Sequence, residues 1–245
     1  MKFENIKNIN LENPSSWEDK IFLTFDIDWC SDEVLSYTLD IIEKYSIKAT
    51  FFVTHETKLL ERMRNNPNIE LGIHPNFNPL LIGDFRYGKN FEEVIEYYKK
   101  IVPESMSVRS HSMTQNSPIL HSFEKFGLIY DCNTFIPYSS NIEVKPYNHW
   151  TDKLIKVPYF WEDDVHCIYG WKWDVKKFSN YNGIKVFDFH PIHIFINTEY
   201  LDRYEKSREW HNCEENLPKH RYEGYGTHSF LIDLIENSNK ESPCH

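Results

Sequence analysis

The chain has 245 residues, 40% hydrophobic and 26% charged, which suits one large α/β domain spanning 1–245 with enough core to fold without staples. Lys and Arg number 27 against 37 Asp and Glu, a formal charge of −10 that repels phosphate backbones and anionic headgroups and so argues against nucleic acid or a membrane surface as partner. Five scattered cysteines with no C-x-x-C pair give no sign of a disulfide framework or a thiolate zinc site. Residues 1–16 lack the apolar core of a signal peptide, and no run approaches the roughly 18 apolar residues of a membrane span, so a cytoplasmic protein with free thiols is expected.

Along the chain, residues 21–25 form a short apolar run that predicts a first strand ending in acidic residues. Ser31 is placed as a helix N-cap, with Asp32 and Glu33 in the first turn where the helix dipole favours anions. Leu35, Leu39 and Ile42 then line one face of a helix running to about Tyr45. A strand at 49–53, a helix marked by Leu59, Leu60 and Met63, and a strand at 69–73 follow. Phe91, Val94, Ile95, Tyr98 and Ile101 make another amphipathic helix. A short strand near Val108 leads to Ser117-Pro118, an N-cap followed by proline at the first helical position. Later strands are expected at 128–130, 154–157 and 184–189, and Phe230, Leu231, Leu234 and Ile235 predict a closing helix. Two stretches, 131–151 and 199–227, lack clear periodicity and read as functional excursions.

Strands alternating with helices imply a mostly parallel sheet with helices outside, closed as a barrel of seven or eight strands. Ligands of such sheets sit beyond the carboxyl ends of the strands. The residues found there are Asp26 and Asp28, then His74, then Arg109 and His111. Trp161, Glu162, Asp163 and Asp164 come next, and Asp188, His190 and His193 close the series. Carboxylates, imidazoles and one arginine at one rim have the composition of a metal hydrolase site.

In order, these residues carry a resemblance to the polysaccharide deacetylases (the NodB-homology proteins, carbohydrate esterase family 4). Thr24-Phe25-Asp26-Ile27-Asp28-Trp29 resembles the family's first motif, in the variant with one residue between the aspartates. Ala49-Thr50-Phe51-Phe52-Val53 is similar to the strand that follows it. His74-Pro75-Asn76-Phe77-Asn78 stands where the family has H-x-x-x-H, Arg109 where it has the arginine of its third motif. Val157-Pro158-Tyr159-Phe160-Trp161 is similar to the fourth motif, and Phe189-His190 to the last. H-P-N at 74–76, W-E-D-D at 161–164 and F-H-P-I-H at 189–193 resemble the WbmS-like branch, associated with surface-polysaccharide gene clusters.

The resemblance implies a distorted (β/α) barrel of about seven strands, a divalent metal, usually zinc (Zn2+), and deacetylation by water activated on that metal. Asp26 would be the general base, with Arg109 paired to it, and His190 the general acid. Asp28 and His74 would be metal ligands, with Asn78 in the place of the family's second histidine. An amide oxygen is a weaker donor to zinc than imidazole, so His111 and His193, at the same rim, are alternatives for that position and otherwise face the substrate. Trp161 would wall the acid side. The expected activity is removal of an acetyl or formyl group from an amino sugar that is nucleotide-linked, lipid-linked or part of an oligosaccharide. A degenerate member that binds carbohydrate without turnover is the competing expectation, motivated by Asn78. A metal phosphoesterase fits less well, because the rim offers one metal centre and few basic residues.

Overall fold

A computed structural model describes residues 1–240. Its strands are β1 (Lys2–Phe3), β2 (Lys20–Asp26), β3 (Ala49–Val53), β4 (Ile69–Ile73), β5 (Ser107–Val108), β6 (Tyr130–Asp131), β7 (Tyr147–Asn148), β8 (Ile155–Lys156), β9 (Trp161–Glu162) and β10 (Lys185–Phe189). The helices are α1 (Asp32–Tyr45), α2 (Leu60–Arg64), α3 (Asn78–Leu81), α4 (Phe91–Ile101), α5 (Ser117–Lys125), α6 (Asp163–Tyr169), α7 (Val175–Ser179), α8 (Pro191–Phe195), α9 (Leu201–Ser207) and α10 (Thr227–Lys240).

The sheet runs β8-β6-β5-β4-β3-β2-β10-β9 with every neighbour parallel, while β7 lies antiparallel on β8 and β1 parallel on β2. Its two ends, β8 and β9, belong to one continuous stretch, 155–162. Val157 N–H donates to Asp131 O on one side, and three residues later Phe160 N–H donates to Val186 O on the other. One length of chain therefore joins both edges. Among the described residues the sheet holds ten strands where about seven were expected, the excess being two-residue strands such as β1, β7, β8 and β9; the distorted (β/α) barrel class is the one expected. Around 144–148 a second piece of chain fills the lower gap, where Val144 bridges Gly183.

The strands read as nearly continuous apolar runs, yet their two faces differ. Ile21, Leu23 and Phe25 of β2, Phe51 of β3, Ile69, Leu71 and Ile73 of β4, and Phe187 and Phe189 of β10 point outward into one core with the helices. The alternate residues, Thr24, Asp26, Thr50, Glu70, His74 and Asp188, are buried on the barrel's inner side. The Glu70 carboxylate accepts from Thr50 Oγ1 at 3.0 Å, Ser107 Oγ at 2.5 Å and Lys7 N–H at 3.0 Å. It thus ties the amino-terminal segment across the barrel floor, where Ile6, Ile9 and Trp17 pack against Phe22 and Phe52.

Ser31 caps α1 as expected, its Oγ accepting from Val34 N–H, with Asp32 and Glu33 in the first turn. The cap of α5 falls one residue before the expected Ser117, on Asn116, whose Oδ1 accepts from Ile119 N–H at 2.9 Å. Cys30, Cys132, Cys167 and Cys213 are free thiols, as anticipated; Cys244 lies outside the described residues. Among the described residues no helix is long and apolar enough to cross a membrane.

Gly72 is required by close approach: a Cβ there would meet the Phe52 ring at 2.6 Å and Ser107 O at 2.9 Å. Gly72→Ala should therefore destabilise the protein by about 1–3 kcal/mol through overpacking inside the barrel, measured as a lowered urea midpoint at unchanged m-value.

Candidate active site

The first strand ends at Asp26, and the chain then turns through two consecutive left-handed residues, Asp28 (φ 29°) and Trp29 (φ 52°). Side chains disfavour that region by roughly 1–2 kcal/mol per residue, so the turn stores strain where it aims Asp28 inward. Asp28 Oδ1 lies 3.2 Å from His74 Nε2, at the end of β4, and 3.4 Å from His111 Nδ1, just past β5. These three side chains form one compact group able to hold a cation. Two buried atoms in it, Asp28 Oδ1 and His74 Nδ1, have no hydrogen-bond partner. Buried polar atoms are seldom left unpaired, and a carboxylate with two imidazoles is a donor set suited to zinc or a similar divalent ion. The residues fit a metal. Against the cost of burial, His111 and His74 hold the Asp28 carboxyl well below its ordinary range, in the ionised form that ligation needs.

Asn78, expected in the place of a ligand, has both ends of its amide engaged elsewhere. Its Nδ2 donates to Ser112 Oγ at 3.2 Å, and its Oδ1 accepts from Thr114 Oγ1 at 3.3 Å. The second imidazole beside Asp28 is His111, one of the two alternatives; the other, His193, belongs to a separate group.

Asp26 sits behind the cluster. Its Oδ2 is 3.5 Å from His74 Nδ1 and its Oδ1 accepts from Arg109 Nη1 at 3.0 Å. Arg109 is 1% exposed. The same Nη1 contacts Asp188 and Thr24 Oγ1, Nε donates to Cys132 O at 3.2 Å, and the guanidinium lies between the rings of Phe52 and Tyr159, at 4.7 and 4.5 Å. The expected pairing of Arg109 with Asp26 is present, joined by a second carboxylate.

His190 follows β10. Its Nε2 faces Asp28 Oδ2 at 3.8 Å, while Nδ1 lies 2.7 Å from Asp163 Oδ1 and its main-chain N–H donates to Asp163 Oδ2 at 2.7 Å. Both Asp163 oxygens are thereby engaged by His190, one by its ring and one by its main chain. Burial opposes a charged imidazole here, but Asp163, Asp164 and Asp28 outweigh it and hold the His190 pKa well above its usual value. Next along α6, Asp164 Oδ1 meets His193 Nε2 at 2.5 Å, and His193 Nδ1 lies 2.9 Å from Thr198 Oγ1. Burial pushes the neighbouring Glu162 carboxyl up to about 7.

Trp161 does not wall the pocket. It is 0% exposed, because it points outward from β9 toward α10, packing on Phe189 and Phe230 at 4.8 Å and donating from Nε1 to His166 Nδ1. The tryptophan at the site is Trp29, which lines a cleft of about 450 Å³ with Asp28, His111, Asp164, His190 and Tyr204. Sequence reasoning left Asp163, Asp188 and Trp29 without roles. For Asp163 the available signal was the pairing of adjacent aspartates with histidines three residues apart.

Removing the Arg109 cation would leave Asp26 and Asp188 facing each other unneutralised in the barrel. Arg109→Met should cost about 3–5 kcal/mol of stability, read by urea denaturation near neutral pH.

A family model described as WbmS-like polysaccharide deacetylase matches residues 23–208. The crystal structure of a Bordetella bronchiseptica protein, described as a polysaccharide deacetylase involved in O-antigen biosynthesis, aligns at 46% identity with a TM-score of 0.92, covering 97% of this chain and 98% of that one. A protein from Mycobacterium smegmatis, described as a polysaccharide deacetylase, aligns at 14% identity and a TM-score of 0.49 over 96% of this chain and 94% of its own. A family 4 carbohydrate esterase from Streptomyces lividans, in complex with acetate, aligns at 15% and 0.43 over 70% and 78%; neither of these two bears on the functional argument. No curated protein matches the chain. With the family match spanning most of the barrel and a homologous structure nearly superimposable end to end, the chain belongs to the WbmS-like polysaccharide deacetylases.

Proposed function

We propose that this protein is a divalent-metal-dependent N-deacetylase, or N-deformylase, acting on an amino-sugar unit during surface-polysaccharide assembly, as the description of the Bordetella relative suggests for O-antigen. The carrying observation is the convergence of Asp28, His74 and His111 on one point, with Asp26 and His190 beside it. A cation held there, zinc by the donor set, would acidify water and polarise the amide carbonyl.

The remaining work falls to this chain's own side chains. Asp26, paired with Arg109, accepts the proton of the attacking water. Arg109 also fixes which oxygen of Asp26 is free, since Oδ1 is committed to the guanidinium. His190, charged and gripped by Asp163, presents Nε2 as the donor to the departing nitrogen, which must leave as an amine rather than an amide anion. The substrate is a cytoplasmic precursor: nucleotide-linked, lipid-linked or an oligosaccharide.

Asp28→Asn and His74→Ala should each lose bound zinc, measured by mass spectrometry of the dialysed protein, and with it acyl release. His190→Ala should retain the metal and lower kcat by about 10²–10⁴-fold. Zinc uptake with no acetate or formate release from any amino sugar would point instead to the carbohydrate-binding member without turnover.

The pH profile carries a sign. His190 acts protonated, and its raised pKa keeps that form to higher pH than an ordinary imidazole. Activity should fall as pH rises through that value. Asp163→Asn, which removes the neighbouring negative charge, should move the alkaline limb of kcat to lower pH; an unmoved limb would dissociate His190 from the proton transfer.

A further inference from the structure

Resting on the deacetylase reading above, we propose that Asp164 and Trp29 are the two walls of a sugar-ring subsite beside the metal cluster. The Asp164 carboxylate accepts hydrogen bonds from ring hydroxyls, and the indole packs on the apolar face of the ring.

The two aspartates that open α6 differ in what they do. Asp163 is 0% exposed and has both oxygens turned onto His190. One residue on, the helix has rotated by about 100°, so Asp164 faces the cleft, its side chain 39% exposed. Partly exposed carboxylates normally keep their rotamer freedom. This one is anchored through Oδ1 by His193, which is 2% exposed and held from behind by Thr198 Oγ1. Both His193 nitrogens are thus occupied, and neither is left for metal or substrate. What the buried histidine achieves is to hold Asp164 still. A fixed carboxylate with one engaged oxygen presents the other as an acceptor toward the cleft, next to His190.

Trp29 is independent evidence from another element. Its backbone is left-handed, its N–H is tied to Thr54 Oγ1 at 3.1 Å, and its ring stands edge-on to His111 at 5.0 Å. A strained backbone that keeps a large aromatic at an open cleft, rather than in the core, suits a stacking surface. An aromatic wall with a few fixed polar groups is the usual composition of a small-molecule pocket. A pyranose has this duality, with C–H groups on its faces and hydroxyls at its edge.

The test uses the full chain loaded with zinc and follows acetate release from N-acetylhexosamines of gluco and galacto configuration, free and linked to uridine diphosphate. Asp164→Ala and Trp29→Leu should each raise KM about tenfold while kcat stays within about threefold, both measured on the acid side of the kcat profile, where His190 is protonated without help from Asp164. Zinc content should equal that of the parent, and Trp29→Phe, which keeps a ring, should recover most of the KM. His193→Ala should follow Asp164→Ala, by releasing the carboxylate. Unchanged KM in both wall variants overturns the subsite, as does a fall in kcat at constant KM. Parent protein that binds zinc but releases neither acetate nor formate from N-acylated amino sugars, whether free, nucleotide-linked, lipid-linked or in an oligosaccharide, overturns the deacetylase reading itself, and is seen before any variant is made.

Discussion

A single buried cation organises the upper half of this barrel. The Arg109 guanidinium draws on β2, the residue just past β6, and β10 at once, through Asp26 and Thr24, the carbonyl of Cys132, and Asp188. Two carboxylates at one point in a low-dielectric interior cannot both ionise unaided. One guanidinium balances one negative charge: burial holds the Asp188 carboxyl well above its ordinary range even beside the cation, and by geometry the ion sets the rotamer of Asp26. The flat faces of the ion are covered by Phe52 and Tyr159, so the charge is enclosed by π-surfaces rather than water. Pairs of this kind add little net stability over a packed apolar core but penalise the loss of either partner. Their value lies in fixing one arrangement, and here that arrangement puts a carboxylate 3.5 Å from the imidazole of His74.

Around this centre the rim separates its charges by task. Asp28 lies among imidazoles and is held ionised, while His190 lies among carboxylates and is held protonated. The two groups, only a few ångströms apart, keep opposite charge states because His190 is ringed by Asp163, Asp164 and Asp28, while Asp28 is hydrogen-bonded by the imidazoles beside it. The adjacent aspartates at the start of α6 extend the same logic: one stiffens a histidine that faces the chemistry, and the other is itself stiffened by a histidine that does not.

The fold was legible where neighbours in sequence decide the outcome. Apolar runs located β2, β3, β4 and β10, and the helix faces of α1, α4 and α10 followed from their periodicity. The inner, polar row of the strands was harder to see, because Thr24, Thr50 and Glu70 interrupt runs that otherwise look buried on both sides. At the site, Asp26, Asp28, His74, Arg109 and His190 were visible from their positions after strands. What failed were inferences needing side-chain direction. Trp161 is shifted one residue in phase from the inner face, so it packs outward on Phe230. Asn78 opens α3 and spends its amide on the neighbouring loop. Asp163 and Asp188 went unassigned because their partners lie 27 and 79 residues away in the chain, separations that no local pattern encodes.

The stretch 155–162 serves as a molecular ruler. It leaves β6 at Lys156 and must arrive on β10 at Trp161, with the first turn of α6 starting immediately afterwards. Strand side chains alternate, so a single inserted or deleted residue would exchange the two faces of everything beyond it. Trp161 would swing into the lumen, and Asp163 would lose its aim at His190. Indels should therefore be purged from these eight positions during divergence, while the long excursion over 199–227, which no such gauge constrains, is free to vary in length and so to reshape the cleft that Tyr204 lines.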